Sequence, residues 1–496
     1  MALPLTLNTK FAYGVGQLAE GLKNSALNTF VLFYYNQVLG LPGTLAGLAL
    51  AIALIFDAIS DPLAGSLSDN WRGKMGRRHP FMYASAAPLG IGFFLLFAPP
   101  SGLSEIGLFL WLTVTVLLTR GAMTLYHVPH LALGAELSTD YEERTQIVSW
   151  RYLFGFLGNL TSYALGLAWF FRDTPEFPNG QFNVAAYEPY AISLAVLMVV
   201  TILWSGWGTH HRIPYLPRVS GEPDKLTATR VVTRMLGEIW GALRNGSFKW
   251  LFAGALVIFL MVGVDGALNL YMFEYFWELD SQEKLWILLV YPVGLIIGST
   301  ICPATHRYIN KRVGVILGAL GWSLGQIVPI LLRFEGWFPD NGTDALVPTL
   351  VGIKLAQGVA AAQALVSFNS MLADIADEHE LTTGKRQEGI FFAAASFATK
   401  TTSGIGSLVA GVGLDLISWP TGTHIQSAKD IPVETLASLG MLYGPIIAGF
   451  AVFNVLFNLQ CKMTRETHAE TIRKLEALRA RSPGSQPTQA ATASES

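Results

Sequence analysis

Two carboxylates four residues apart in an apolar stretch are the first chemistry the sequence offers. Asp57 and Asp61 fall on one face of a helix, their Cβ atoms roughly 5 to 6 Å apart. Left alone, they repel. Relief comes from a bound hard cation taking oxygen ligands, from a shared proton, or from a neighbouring Lys or Arg. Lys400, in a distant apolar stretch, offers the third. If these three share one cavity, its charge is minus one when empty and zero with one monovalent cation. Such a difference couples a carrier to the membrane field, about 2.3 kcal/mol per elementary charge per 100 mV. The structural alternative is a static ion-pair network that locks two helices together. Arg120, Thr124 and His127 recur at intervals of four and three, which makes one polar stripe on an apolar helix. A stripe of this kind in lipid faces inward. With Arg151 it forms a substrate clamp, or its cations satisfy Asp265 or Glu20.

The elements that position these residues follow from composition. The 496 residues are 51% hydrophobic and 14% charged, far from the average of about 25% charged in soluble domains. A bilayer core requires about 20 mostly apolar residues per helix, because lipid offers the backbone no hydrogen-bond partner. Twelve such runs begin near Phe11, Pro42, Pro80, Ile106, Gln146, Tyr190, Lys249, Leu285, Val313, Ala345, Gly389 and Thr435. The first is retained rather than cleaved as a signal peptide, since no small-residue cleavage site follows a short apolar core. With the N-terminus inside, the connections at 70–79, 138–145, 209–247, 305–313 and 376–388 and the tail from Cys461 hold 22 Lys and Arg, against three on the other side: Arg172, Lys284 and Lys429. This asymmetry places both termini in the cytoplasm.

The longest connection, 209–247, carries Pro214, Pro217, Gly221 and Pro223 and then the amphipathic stretch Ala228 to Leu243. It separates a six-helix half at 1–208 from another at 248–460, and 461–496 is a tail with a charged helix followed by disorder from Ser482. Six plus six is the pattern of a duplicated transporter with its site between the halves. Faint echoes support duplication: Gly65, Asp69 and Gly76-Arg77-Arg78 answer Lys311-Arg312-Val313-Gly314, and Leu133-Gly134-Ala135-Glu136 answers Met371-Leu372-Ala373-Asp374. The fold class is therefore an all-α membrane protein of twelve transmembrane helices.

Five cations lie well inside spans: Lys23, Arg120, Arg151, Lys354 and Lys400, with the acids Glu20, Asp57, Asp61 and Asp265. An ion at a helix centre in the bilayer costs about 3 kcal/mol or more, so each requires a partner or a water-filled cavity. Glu20 and Lys23, three apart, suit each other. Asp265 pairs with a cation across the cavity or lines it.

Phe56-Asp57-Ala58-Ile59-Ser60-Asp61-Pro62 with Gly65 and Gly76-Arg77-Arg78-His79-Pro80 resembles the glycoside-pentoside-hexuronide:cation symporters of the major facilitator superfamily. Val128-Pro129-His130-Leu131-Ala132-Leu133-Gly134, Tyr141-Glu142-Glu143-Arg144, Ala373-Asp374-Ile375-Ala376-Asp377 and Gly384-Lys385-Arg386-Gln387-Glu388-Gly389 are similar to that family too, in the same order, from Asn8 to about the twelfth span. The resemblance implies the major facilitator fold. By comparison with its melibiose permease branch, it implies a sodium site at Asp57, Asp61 and Thr124, with Lys400 beside it and Ser60 in place of an asparagine. Arg151 matches an arginine that borders the sugar in that branch. The sugar ligands themselves are replaced, by Gly21 beside Glu20, by His127 and by Leu131. The sodium-dependent lysophosphatidylcholine transporters are more distantly similar. Asp69, Arg77 and Arg78, and in the second half Asp374, Asp377 and Arg386, are the resemblance's candidate gating charges.

The sequence thus points to a symporter that couples sodium or protons to a sugar or glycoside-like solute by alternating access. Arg120, Arg151 and Lys354 leave room for an anionic group. Candidate substrate-binding residues are Arg120, His127, Arg151, Glu20, Asp265, Lys354 and Ser396. A lysophospholipid carrier and a transport-inactive membrane receptor are the alternatives. Expected partners are a small molecule and the bilayer, with the chain a monomer in a plasma or bacterial inner membrane. No cofactor beyond the coupling ion is implied. A net charge of −2 supplies no field for nucleic acid. No nucleophile and base set near an interface marks an enzyme, no glycine loop for ATP phosphates occurs, and Cys302 and Cys461 form no ligand set.

Overall fold

The computed structural model describes residues 5–138, 140–216, 228–384, 388–422, 425 and 427–481. Arg386, the stretch holding Pro217, Gly221 and Pro223, and the tail from Ser482 lie outside them. Within the described residues, helices form the twelve spans expected. Span 1 is composite: Leu7–Val15 and Gln17–Ser25 are followed by π-helical turns at Ala26–Phe30 and Tyr34–Val38. Spans 2 to 6 are Gly43–Asn70, His79–Phe97, Glu105–Leu137, Tyr141–Tyr163 with a π-helical extension Ala164–Phe170, and Val184–His210. Spans 7 to 11 are Gly246–Tyr271, Ser281–Tyr308, Lys311–Phe334, Leu346–Thr383 and Glu388–Leu416, and span 12 runs from Val433–Met441 to Ala451–Gln460. Among the described residues, ten helices are long and apolar enough to cross a membrane on their own. The others are span 1, broken by Gly16, and span 11, which carries Lys400.

Lipid is as apolar as leucine, so helices in a bilayer associate through close packing rather than through hydrophobic force. Glycine permits that closeness. A Cβ on Gly158 of span 5 would collide with the Leu18 carbonyl of span 1. The same device recurs in the other half, where a Cβ on Gly358 of span 10 would collide with the Tyr291 carbonyl of span 8. The central helix Ala228–Leu243 buries Ile239 and Ala242 in a cluster with Phe248, Leu251 and Phe391. A tail helix, Arg465–Arg481, attaches where Arg465 donates to the carbonyls of His306 and Arg307.

The halves meet most tightly at the face away from the termini. Asp415 of span 11 accepts the backbone N–H groups of Gly43 and Thr44, at 2.8 and 2.7 Å. It thereby caps span 2, where a helix N-terminus favours negative charge. Tyr271 donates to Asn36 Oδ1 at 2.7 Å, and Trp419 Nε1 to Gln37 Oε1 at 2.7 Å. Phe33, Tyr34, Tyr35, Tyr187 and Tyr275, all buried, plug the space behind these bonds. Lys284, counted above as a connecting-loop cation, instead lies in the first turn of span 8 and forms a buried ion pair with Glu274 of the π-helical turn Met272–Phe276 that follows span 7.

Candidate functional site

Between the halves lies a cavity of about 560 Å³ lined by spans of both. Span 2 brings Asp57, span 4 brings Arg120, Thr124 and His127, span 1 brings Glu20 and Lys23, and Asp265, Lys354 and Lys400 come from spans 7, 10 and 11. Residues from both ends of the sequence therefore converge, although each stands in an apolar helix.

The two aspartates have different partners. Asp61 takes an ion pair from Lys400 across the boundary of the halves, and the Thr124 hydroxyl donates to it at 2.8 Å. Asp57 takes Arg120, Nη1 to Oδ2 at 2.5 Å. The alternative in which Arg120 satisfies Asp265 or Glu20 is thus set aside, because each of those has another cation. Glu20 pairs with Lys23 at 3.1 Å, and Asp265 lies 3.6 Å from Lys354. The expected charge of minus one is corrected too, because Arg120 adds a second cation to the two aspartates and Lys400. The whole set is neutral. Ser60 turns its hydroxyl toward Thr124 at 3.4 Å. Pro62, inside span 2, lacks an N–H and so leaves the Ala58 carbonyl without its helical donor, one turn from Asp61.

Solvent reaches the two pairs unequally. The side chains of Asp57 and Arg120 are 9% and 5% exposed, those of Asp61 and Lys400 25% and 32%. Ser396, one turn from Lys400 toward the terminal face, is exposed. It does not line the cavity, contrary to expectation. Asp61, a turn nearer the terminal face than Asp57, is the wetter of the two, and away from that face the bonds of Asp415, Tyr271 and Trp419 and the buried aromatics close the space between the halves.

His127 meets the Gln17 side chain at 3.2 Å. Arg151 also departs from expectation: it is outside the cavity lining, with its guanidinium 5.1 Å from the Tyr152 ring. The guanidinium lies beside the Tyr13 hydroxyl of span 1, within electrostatic reach of His127. Around Asp265, Gln326 Nε2 and the Tyr443 hydroxyl donate to Oδ1, each at 2.5 Å. Neither was foreseen, since a single Gln or Tyr in an apolar span carries no pattern.

The candidate gating charges sit at the terminal face, within each half rather than between halves. Arg78 pairs with Asp69 at 2.5 Å and with Glu136 at 2.6 Å, and Arg77 with Glu136 at 2.9 Å. In the second half Asp374 takes Lys311 at 2.7 Å, and His468 of the tail helix approaches Asp377 at 3.1 Å. Glu136 and Lys311 were missed as partners of the candidate gating charges. The signal was present, for both belong to the internal echoes: Glu136 with Arg78 corresponds to Asp374 with Lys311.

Two six-helix halves closed at one face around a charged central cavity define a membrane carrier of the alternating-access kind. The chain matches the family described as MFS/sugar transport protein over residues 12–464 and belongs to it. It is 24% identical to an uncharacterized symporter, sll1374, of Synechocystis, over 95% of this chain and 97% of that one. It is 25% identical to the isoprimeverose transporter of Lactiplantibacillus pentosus, over 90% and 88%, and 22% identical to a sphingosine-1-phosphate transporter of Xenopus tropicalis, over 96% and 92%. Among solved structures, a mutant form of the nucleoside transporter NupG superposes with a TM-score of 0.64 at 13% identity, covering 92% of this chain and 100% of that one. That likeness is one of fold.

Proposed function

We propose that this chain is a cation-coupled symporter that carries a sugar or glycoside-like solute by alternating access, with Asp57, Asp61 and Thr124 as its cation site. The observation that carries the reading is the meeting of Asp61 and Lys400, which belong to different halves and touch at the wetted edge of the cavity. A cation that replaces the ammonium at Asp61 loosens the one from the other, so ion binding and the relative position of the halves are linked. The excess of Lys and Arg puts the terminal face in the cytoplasm. The described state is then inward-facing, with the outer side held by Asp415, Tyr271 and Trp419. The solute lies beside Glu20, Arg120, His127, Asp265 and Lys354, and in this reading the carrier works as a monomer. Paired carboxylates suit sodium as a ligand set and a proton as a shared one.

The test is a solute panel offered to reconstituted vesicles under imposed sodium or proton gradients, with Asp57→Asn alongside. The reading expects uphill uptake driven by one of the two gradients and lost in the variant. Uptake indifferent to both gradients removes it.

A further inference from the structure

Arg120 and Asp57 meet through one hydrogen bond, although a guanidinium and a carboxylate ordinarily engage through two. Nη1 reaches Oδ2 at 2.5 Å. Arg120 Nε and Asp57 Oδ1 are both buried without a partner. The residues are 5% and 6% exposed, and both line the cavity. A buried polar atom left unmatched is costly. An idle donor and an idle acceptor beside each other therefore form a place for two ligands, one bringing an anionic oxygen and the other a positive charge.

The charge balance of the cavity requires the same two. Glu20, Asp57, Asp61 and Asp265 are matched one to one by Lys23, Arg120, Lys400 and Lys354. A cation taken in alone leaves a net positive charge, and an anion alone a net negative one. Together they leave none. At the low dielectric of the bilayer interior an uncompensated charge is strongly disfavoured.

Building on the symporter reading above, we propose that Arg120 couples the two ligands: an anionic group of the solute, a carboxylate or a phosphate, draws the guanidinium off Asp57, and the freed carboxylate receives the cation. Until the solute arrives, Arg120 holds the cation's place. A neutral sugar has no group with which to compete for the guanidinium, so the preferred solute is a monoanionic glycoside or sugar acid. Lys400 does not serve in this way, because its pair with Asp61 lies at the wetted edge, where water takes over either partner.

The experiment requires no knowledge of the solute. Cation binding to the purified full-length carrier is measured without solute, as equilibrium binding of radioactive sodium and as proton uptake with an indicator dye, for wild type, Arg120→Gln and Arg120→Lys. If Arg120 blocks Asp57 in nine molecules of ten or more, Arg120→Gln binds its cation at least about tenfold more tightly than wild type. Arg120→Lys, which keeps the charge, stays near wild type. Equal affinity in wild type and Arg120→Gln overturns the proposal and leaves the symporter reading intact. Absence of cation binding in every form overturns both. Should Arg120→Gln not fold, Arg120→Met, of similar length and without charge, makes the same comparison.

Discussion

Lys400 and Asp61 lie 339 positions apart in sequence and in opposite halves, yet their side chains form an ion pair at the edge of the central cavity. Each is a quarter to a third exposed, so water is at hand when the pair opens. Arg120 and Asp57, on the neighbouring turns of spans 4 and 2, form the dry counterpart within one half. One pair spans the moving boundary and the other does not, and their consequences under mutation differ accordingly.

Lys400→Ala leaves Asp61 with Thr124 alone, and the double variant Lys400→Ala, Asp61→Asn removes the stranded charge. Partners in contact couple by about 0.5–3 kcal/mol. The expected outcome is a lowered thermal midpoint in the single variant and partial recovery in the double, read by intrinsic fluorescence in detergent. Purely additive losses would mean that the ion pair contributes nothing.

The two pseudo-equivalent acids at the terminal face are not energetically equal. Glu136 holds Arg77 and the buried Arg78, whereas Asp374 holds Lys311, whose side chain is 33% exposed. Glu136→Gln takes from the buried Arg78 its buried partner and leaves it only Asp69, which is more than half exposed, a loss that approaches the roughly 3–5 kcal/mol of a broken buried pair, whereas Asp374→Asn breaks one pair with a partly exposed lysine, nearer the roughly 0–1 kcal/mol of surface pairs. Glu136→Gln is therefore expected to depress thermal stability well below Asp374→Asn. A reversed order in the same unfolding scan contradicts this.

Asp415 caps span 2 from span 11 with two charge-assisted hydrogen bonds, each of the kind that contributes about 1.5–3 kcal/mol. Asp415→Ala weakens the closed face without touching the cavity. With Cys302 and Cys461 replaced by Ser, a cysteine at the cavity position Asn269 is expected to react faster with an impermeant thiol reagent added from that face. An unchanged rate removes Asp415 from the closure.

Glycines at close approaches sort into two kinds. A Cβ on Gly158 would strike the Leu18 carbonyl inside one half, and a Cβ on Gly411 would strike the Gly43 carbonyl across the halves. Gly158→Val is expected to lose folded protein. Gly411→Ala is expected to fold but to favour the open outer face, seen in the same thiol assay. Gly411→Ala that neither unfolds nor changes labelling would show that this contact does not govern the equilibrium.

The twelve spans were legible because lipid imposes length and apolarity on every crossing segment. So was the cavity's charge roster, since an ion inside an apolar run needs a reason to be there. Partner choice was not legible. Spacing places Arg120 on a polar stripe but does not say that the stripe turns toward span 2 and Asp57 rather than toward Asp265 or Glu20. Arg151 shows the same gap: a position early in span 5 fixes its depth, while only the fold brings its guanidinium to the Tyr13 hydroxyl rather than into the lining. Gln326 and Tyr443 left no trace in the sequence because only the fold brings them to Asp265.

The most direct test of the cation site compares two fluxes in Asp61→Asn vesicles, for a solute that the wild type accumulates. Gradient-driven accumulation requires the coupling ion, whereas exchange of labelled for unlabelled solute at equal concentrations requires only that the loaded carrier reorient. The account predicts that Asp61→Asn loses accumulation and keeps exchange. Accumulation at the wild-type level in that variant would contradict it.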